Sequence, residues 1–199
     1  MLTVSHAAQV KTGQVGNSTV QIGKFTYGYD KMSVKQWGEG ANLSIGAFCS
    51  IADQVVIMLG GNHRVDWITT FPFGKIFVDE LGGAGIEGHP KTNGDVVVGN
   101  DVWIGRNSTI MSGISIGDGA VIASNSTITK NVGSYEIWGG NPAKKIGDRF
   151  DDSITEELLK ICWWDHDIET IKKLAPLLSQ TPNLEILNEI KIIAKNEHR

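Results

Sequence analysis

Between Val98 and Ile128 an aliphatic residue returns at every sixth position: Val98, Ile104, Ile110, Ile116, Ile122 and Ile128. Four places after each comes a small or β-branched residue, namely Val102, Ser108, Ile114, Ala120, Ser126 and Val132. Directly after each aliphatic stands Gly99, Gly105, Met111, Gly117, Ala123 or Thr129. A strict six fits neither the 3.6-residue period of an amphipathic helix nor the alternation of a plain strand. β-Branched residues and glycines at this density also disfavour a helix. The pattern predicts a hexapeptide solenoid, in which each hexad is a short strand plus a turn and three hexads close one triangular coil. Stacking coils about 4.8 Å apart piles the aliphatics into an internal column. Glycine is expected at the corners for the backbone angles it reaches.

The register extends upstream. Ile22, within VQIGKF, reads as a first hexad, and Ile45, Ile51 and Ile57 follow six apart with Cys49 and Val55 at the small positions. Between the two runs, from Met58 to Val97, the spacing vanishes. Long loops in compact domains are usually functional or disordered, and Trp67, Phe71, Phe73 and Phe77 are too many aromatics for a disordered linker. An ordered excursion over a cleft or across to a neighbouring chain is expected.

After Val132 the repeat decays through GSYEIWGGNPAKKI, and from Arg149 the pattern turns helical. Ser153 with Glu156 reads as a capping box opening a first helix. DIETIKKLAPLL reads as a second helix ending near Pro176, and TPNLEILNEIKIIAK as a third with Leu184, Leu187 and Ile190 on one stripe. The resulting class is mainly β: a parallel β-helix over residues 1–150 with an excursion at 58–97, then a C-terminal α-helical appendage over 151–199. Open solenoid ends and flat faces need cover. The helices are expected to cap one end, and symmetric association to bury a face.

Composition narrows the function. With 41% hydrophobic residues among 199, the chain suits a soluble globular fold. The start, MLTVSHAAQVKTG, lacks the features of a signal peptide, and no apolar stretch is long enough to span a bilayer. Cys49 and Cys162 lack metal-ligand spacing and read as buried thiols, which favours the cytoplasm. A net charge of −4 argues against a nucleic-acid partner.

Five histidines are present, His6, His63, His89, His166 and His198. His63 stands out within GGNHRVDW of the excursion, where an imidazole suits general-base work. By itself a single histidine is more commonly a surface-loop residue, and that reading stands beside it. His89, in EGHPKTNG, reads as loop structure.

Several segments, in order, carry a resemblance: IGAFCSIA, GGNHRVDWITTFPF, GNDVWIG, GGNPAKKI, RFDDSI and WWDH. With them the chain resembles the xenobiotic acetyltransferases of the hexapeptide-repeat class, which include class B chloramphenicol and streptogramin A acetyltransferases. The resemblance implies a left-handed β-helix, a homotrimer with active sites between subunits, and His63 as the base. It implies O-acetylation of a small-molecule hydroxyl by acetyl-CoA, with no metal required. For the co-substrate it implies Trp103, Gly105, Arg106 and Ser124 along the pantetheine arm, with Thr129 and Lys130 further along. Lys130, Lys144 and Lys145 around Asn141–Pro142 would face the nucleotide phosphates. Tyr27, Tyr29, Asp30 and the aromatics from Trp67 to Phe73 are candidates for the acceptor pocket, and equally for packing between subunits. A cell-surface polysaccharide or nucleotide sugar is the alternative acceptor, for O- or N-acetylation. Two rival functions on such a solenoid are a γ-carbonic-anhydrase-like metal enzyme, which needs three converging histidines, and a non-catalytic scaffold.

Overall fold

The computed structural model describes residues 9–196. His6, His198 and the first residues of the N-terminal segment lie outside that range. The hexads build a three-sided parallel β-helix. The first coil holds β1 (Lys11–Val15), β2 (Ser18–Ile22) and β3 (Ser33–Lys35), and the second β4 (Leu43–Ile45), β5 (Ser50–Ile51) and β6 (Val56–Met58). The third holds β7 (Val96–Val98), β8 (Trp103–Ile104) and β9 (Thr109–Ile110), and the fourth β10 (Ser115–Ile116), β11 (Val121–Ile122) and β12 (Thr127–Ile128). A closing hairpin, β13 (Glu136–Gly140) and β14 (Ala143–Asp148), pairs antiparallel and continues one wall.

The walls run β1-β2-β4-β7-β10 (wall B), β14-β13-β11-β8-β5 (wall A) and β12-β9-β6-β3 (wall C). Stacked partners such as Trp103↔Val121 and Thr109↔Thr127 are 18 residues apart, three hexads. Ile57, Ile104, Ile110, Ile122 and Ile128 are fully buried in one continuous core, as the column of aliphatics requires.

Gly99, Gly105 and Gly117 serve a different purpose from the one expected. None has a positive φ; the left-handed corners are taken by Gln54, Asp101, Asn107 and Asn125, together with glycines such as Gly119. At Gly105 a Cβ would lie 2.6 Å from the Ser124 amide nitrogen and 2.8 Å from the Ile122 carbonyl oxygen. Glycine is there because the next coil passes too close for a side chain, while asparagine tolerates the left-handed corner. The Asn107 and Asn125 side chains then stack, Nδ2 donating to Oδ1 at 2.8 Å.

The interruption is shorter than 58–97. Met58 ends β6 and Val96 begins β7, so the excursion occupies 59–95. The expected decay after Val132 is instead the β13–β14 hairpin, fastened where Gly140 N donates to Ser126 Oγ.

The appendage comprises α1 (Asp152–Ile161), α2 (Ile168–Leu178) and α3 (Leu184–Asn196). The expected capping box is displaced. Asp151 caps α1, accepting from Ile154 N at 2.9 Å, and Ser153 donates its hydroxyl to that carboxylate at 2.8 Å. Pro176 lies inside α2, near its end, and the helix closes two residues later. Leu187 and Ile190 are buried, but Leu184 is 57% exposed because it opens the first turn of α3 away from the packed stripe. These helices bury Ile154, Leu158 and Leu174 with Tyr135 at the solenoid's end. The Phe25 and Phe48 rings stack at 5.0 Å, Trp163 tilts against Phe48 at 4.7 Å, and the three cover the edge between walls B and A. Cys49 is buried, whereas Cys162 is half-buried at the left-handed turn ending α1. Burial pushes the Cys49 thiol up to about 12, so it stays uncharged.

Candidate active site

Connectivity decides what each remaining edge carries. Residues 105–108 join β8 of wall A to β9 of wall C, so Gly105 and Arg106 stand on the A/C edge. The same edge carries Tyr29, Asp30 and Asp53 below, and Ser124 and the Asn141–Pro142 hairpin tip above. The excursion leaves β6 of wall C and returns to β7 of wall B, placing His63 on the C/B edge. Within one chain, His63 and Trp103 therefore sit on different edges of the prism.

The A/C edge is grooved. A cavity of about 410 Å³ is lined by Tyr27, Lys31, Ser50, Asp53, Trp103 and Arg106. It adjoins a second, of about 300 Å³, lined by Gln54, Arg106, Asn107, Ser124 and Asn125. Trp103 projects outward from β8 and is 54% exposed, an apolar surface that folding alone leaves uncovered. An elongated groove with an indole face, amide side chains and a guanidinium suits a long, flexible, anionic ligand such as acetyl-CoA.

Other expected ligand residues divide. Thr129 and Lys130 follow β12 in the turn to Val132, which bridges Ile116 of wall B; they lie on the C/B edge, away from Trp103. Lys145 is engaged by Asp148 at 2.7 Å and Glu136 at 3.1 Å, and the two carboxylates raise its pKa. Lys144, Pro142 and Asn141 are exposed beside it. Tyr29 accepts a hydrogen bond from Lys11 Nζ at 2.7 Å and packs against the core at the lower end of the solenoid. Asp30 is exposed.

The His63 loop is held at its root. Glu39 accepts from Gly61 N at 2.6 Å and from Trp37 N at 2.9 Å. Asn62 pairs its backbone with Lys91 and donates its amide to Ser112 Oγ at 2.8 Å. His63 itself is exposed, and its Nδ1 lies 2.7 Å from the Thr70 carbonyl oxygen. A carbonyl only accepts, so Nδ1 carries the proton and Nε2 is left as the basic nitrogen.

Trp67 is half-buried within the excursion. Its ring meets the edge of His89 at 5.8 Å and carries the Arg64 guanidinium at 4.9 Å, while Asp66 pairs with Arg64 at 2.5 Å. Tyr27, a candidate for the acceptor pocket, lines the groove instead, and Gln54, Asn107 and Asn125 are groove residues that the sequence reading did not single out. The recurrence of asparagine 18 residues apart, at Asn107 and Asn125, was the available signal. Among the described residues no three His, Cys, Asp or Glu side chains are placed to hold a metal ion, and no helix is long and apolar enough to cross a membrane.

Comparison with known proteins accords with this geometry. The family model for bacterial transferase hexapeptide (six repeats) matches residues 95–130. A probable macrolide acetyltransferase of Lysinibacillus sphaericus is 50% identical over 155 residues, covering 74% of this chain and 83% of that protein. A chloramphenicol acetyltransferase of Klebsiella aerogenes is 39% identical over 178 residues, covering 83% and 84% respectively. The solved structure of the polySia-specific acetyltransferase NeuO aligns with a TM-score of 0.50 at 29% identity, covering 67% of this chain and 53% of that one, so the chain spans about half of its length. The repeat, the three-walled helix and these relatives together establish that the chain belongs to the hexapeptide-repeat acetyltransferases of the chloramphenicol acetyltransferase kind, acetyl-CoA-dependent enzymes built on a left-handed parallel β-helix.

Proposed function

We propose that this protein is a cytoplasmic O-acetyltransferase that moves acetyl from acetyl-CoA to a hydroxyl of an antibiotic, with His63 as general base, in active sites shared between subunits of a homotrimer. The 50% identity to a probable macrolide acetyltransferase puts a macrolide first among acceptors, followed by chloramphenicol and streptogramin A.

The observation that carries this reading is the hydrogen bond from His63 Nδ1 to the Thr70 carbonyl, which fixes the tautomer a base needs. His63 Nε2 takes the proton from the acceptor hydroxyl as that oxygen attacks the thioester carbonyl. The C–S bond then breaks, and the imidazolium returns the proton to the departing thiolate. Trp103, Arg106 and Ser124 along the groove hold and align the donor.

Two features support a trimer. Wall C lies between the groove edge and the His63 edge; on its upper three coils the outward positions Val56, Met58, Thr109 and Thr127 are uncharged and half-buried, and the exposed Lys35 lies on the lowest coil. Packing three such walls about an axis sets each subunit's C/B edge against its neighbour's A/C edge, closing the gap between His63 and Trp103. Val65, Ile68 and Phe77 of the excursion are exposed in the single chain, as an interface segment would be.

Acetyl transfer to a macrolide, chloramphenicol, streptogramin A and a panel of sugars, followed by mass spectrometry, tests the acceptor. The expected product is a monoacetylated antibiotic; transfer to sugars alone would replace this acceptor class with a saccharide. His63→Ala is expected to lower kcat by about 10²–10⁴-fold, the usual worth of general-base assistance, with KM for acetyl-CoA little changed. Transfer at the parent rate would remove His63 from the chemistry.

A further inference from the structure

Beside His63 stands a second imidazole, on the returning arm of the excursion. His89 is only 2% exposed, and neither of its ring nitrogens has a hydrogen-bond partner. Its ring meets that of His63 at 4.6 Å between centroids and 80° between planes. Trp67 also meets the His89 ring, at 5.8 Å between centroids and 71° between planes, and carries Arg64, which Asp66 clamps. Arg64 also reaches the Gly88 carbonyl at 3.4 Å, tying the outgoing arm of the excursion to the returning one.

What His89 presents to His63 is its ring, in a T-shaped contact. His63 is exposed and tied to the protein at one ring atom only, through Nδ1 and the Thr70 carbonyl. One hydrogen bond leaves rotation about that axis open, and His89 blocks it.

We infer that His89 is a positioning residue for His63: its imidazole is the wall that holds the base's ring in the single orientation with Nδ1 on the Thr70 carbonyl and Nε2 toward the acceptor. The inference rests on the reading of His63 as base. Burial, with the neighbouring His63 and Arg64, lowers the His89 pKa, so the wall stays uncharged and does not oppose the positive charge His63 takes up during transfer. Trp67, in contact with His89, backs this wall.

The test compares His89→Ala and His89→Phe with the parent enzyme, using acetyl-transfer kinetics and the 15N shifts of the His63 ring. His89→Ala is expected to lower kcat by about 10–100-fold, the scale of a small misplacement of a reacting group, and to leave KM for acetyl-CoA within twofold. Its His63 shifts should move from one fixed Nδ1–H tautomer toward an average of two. His89→Phe keeps a flat ring and is expected to retain kcat within about threefold and the fixed tautomer. A His89→Ala enzyme with parental kcat and an unaltered tautomer would overturn the inference, as would equal losses in the Ala and Phe variants. If His63→Ala transferred acetyl at the parent rate, the base reading would fall, while the tautomer comparison would still decide whether His89 fixes the ring.

Discussion

At Gly105 one hydrogen atom stands where a Cβ would meet the backbone of the coil above, at Ser124 N and Ile122 O. Both atoms belong to the stacked ladder, so neither yields without shifting a coil. Gly105→Ala is expected to cost about 1–3 kcal/mol, the usual range for overpacking, read as a lower midpoint in urea unfolding. An unchanged midpoint would mean the coils breathe more than the packed aliphatic column allows. This residue also shows how far single positions can be read. The hexad pattern placed Gly105 directly after a core aliphatic, because a period of six fixes each residue's place on the coil, whereas Arg106 and Ser124 became candidates only through the family resemblance. It misassigned the reason for the glycines, since spacing along one coil does not report how closely the next one passes. Lys145 was located but not its Asp148 and Glu136 partners, which depend on the hairpin register and its bulge near Trp138.

At the scale of elements, the helical appendage depends on charged caps. Asp167 accepts from Glu169 N and Thr170 N, each at 2.9 Å, and Asp151 accepts from Ile154 N. Backbone hydrogen bonds hold both carboxyls below their ordinary range, and Lys160 and Lys191 lower Glu157 to about 2. A carboxylate whose folded pKa is depressed adds stability that is present above its unfolded value and lost as pH falls through its folded value. The helices are therefore expected to loosen first between about pH 4 and about pH 2, seen as loss of the 222 nm circular dichroism signal. The double variant Asp151→Asn, Asp167→Asn keeps both caps but removes their titration, and its loss should be shifted to lower pH. Coincident acid transitions would place the acid sensitivity elsewhere. The helices were legible from their apolar stripes, but the capping aspartates were not. Ser153 with Glu156 satisfies the capping pattern on paper, and the carboxylate two residues earlier prevails because it reaches the Ile154 amide. The excursion was legible only as an interruption with aromatics. With no period to follow, the pairing of Asn62 with Lys91, and hence of His63 with His89, could not be read.

For the whole molecule, the three edges of the prism divide the labour. The B/A edge is covered by the chain's own helices through Phe25, Phe48 and Trp163, the C/B edge carries the base, and the A/C edge carries the groove. A monomer would hold both halves of an active site without joining them. Thr109→Lys, which puts a charge on the middle of wall C, is expected to give monomers by light scattering and to abolish transfer without unfolding the solenoid. A trimeric, active Thr109→Lys would move the interface to another wall.

The most direct measurement mixes two defective proteins. His63→Ala lacks the base, and Ser124→Trp fills the groove beside Arg106 on the opposite edge. Each is expected to be nearly inactive alone. After denaturation and joint refolding in equal amounts, random assembly pairs an intact His63 with a neighbour's intact groove in about one site in four, and transfer should recover to about a quarter of the parental rate. No recovery, with mixed trimers confirmed by mass, would show that both halves of the site come from one chain.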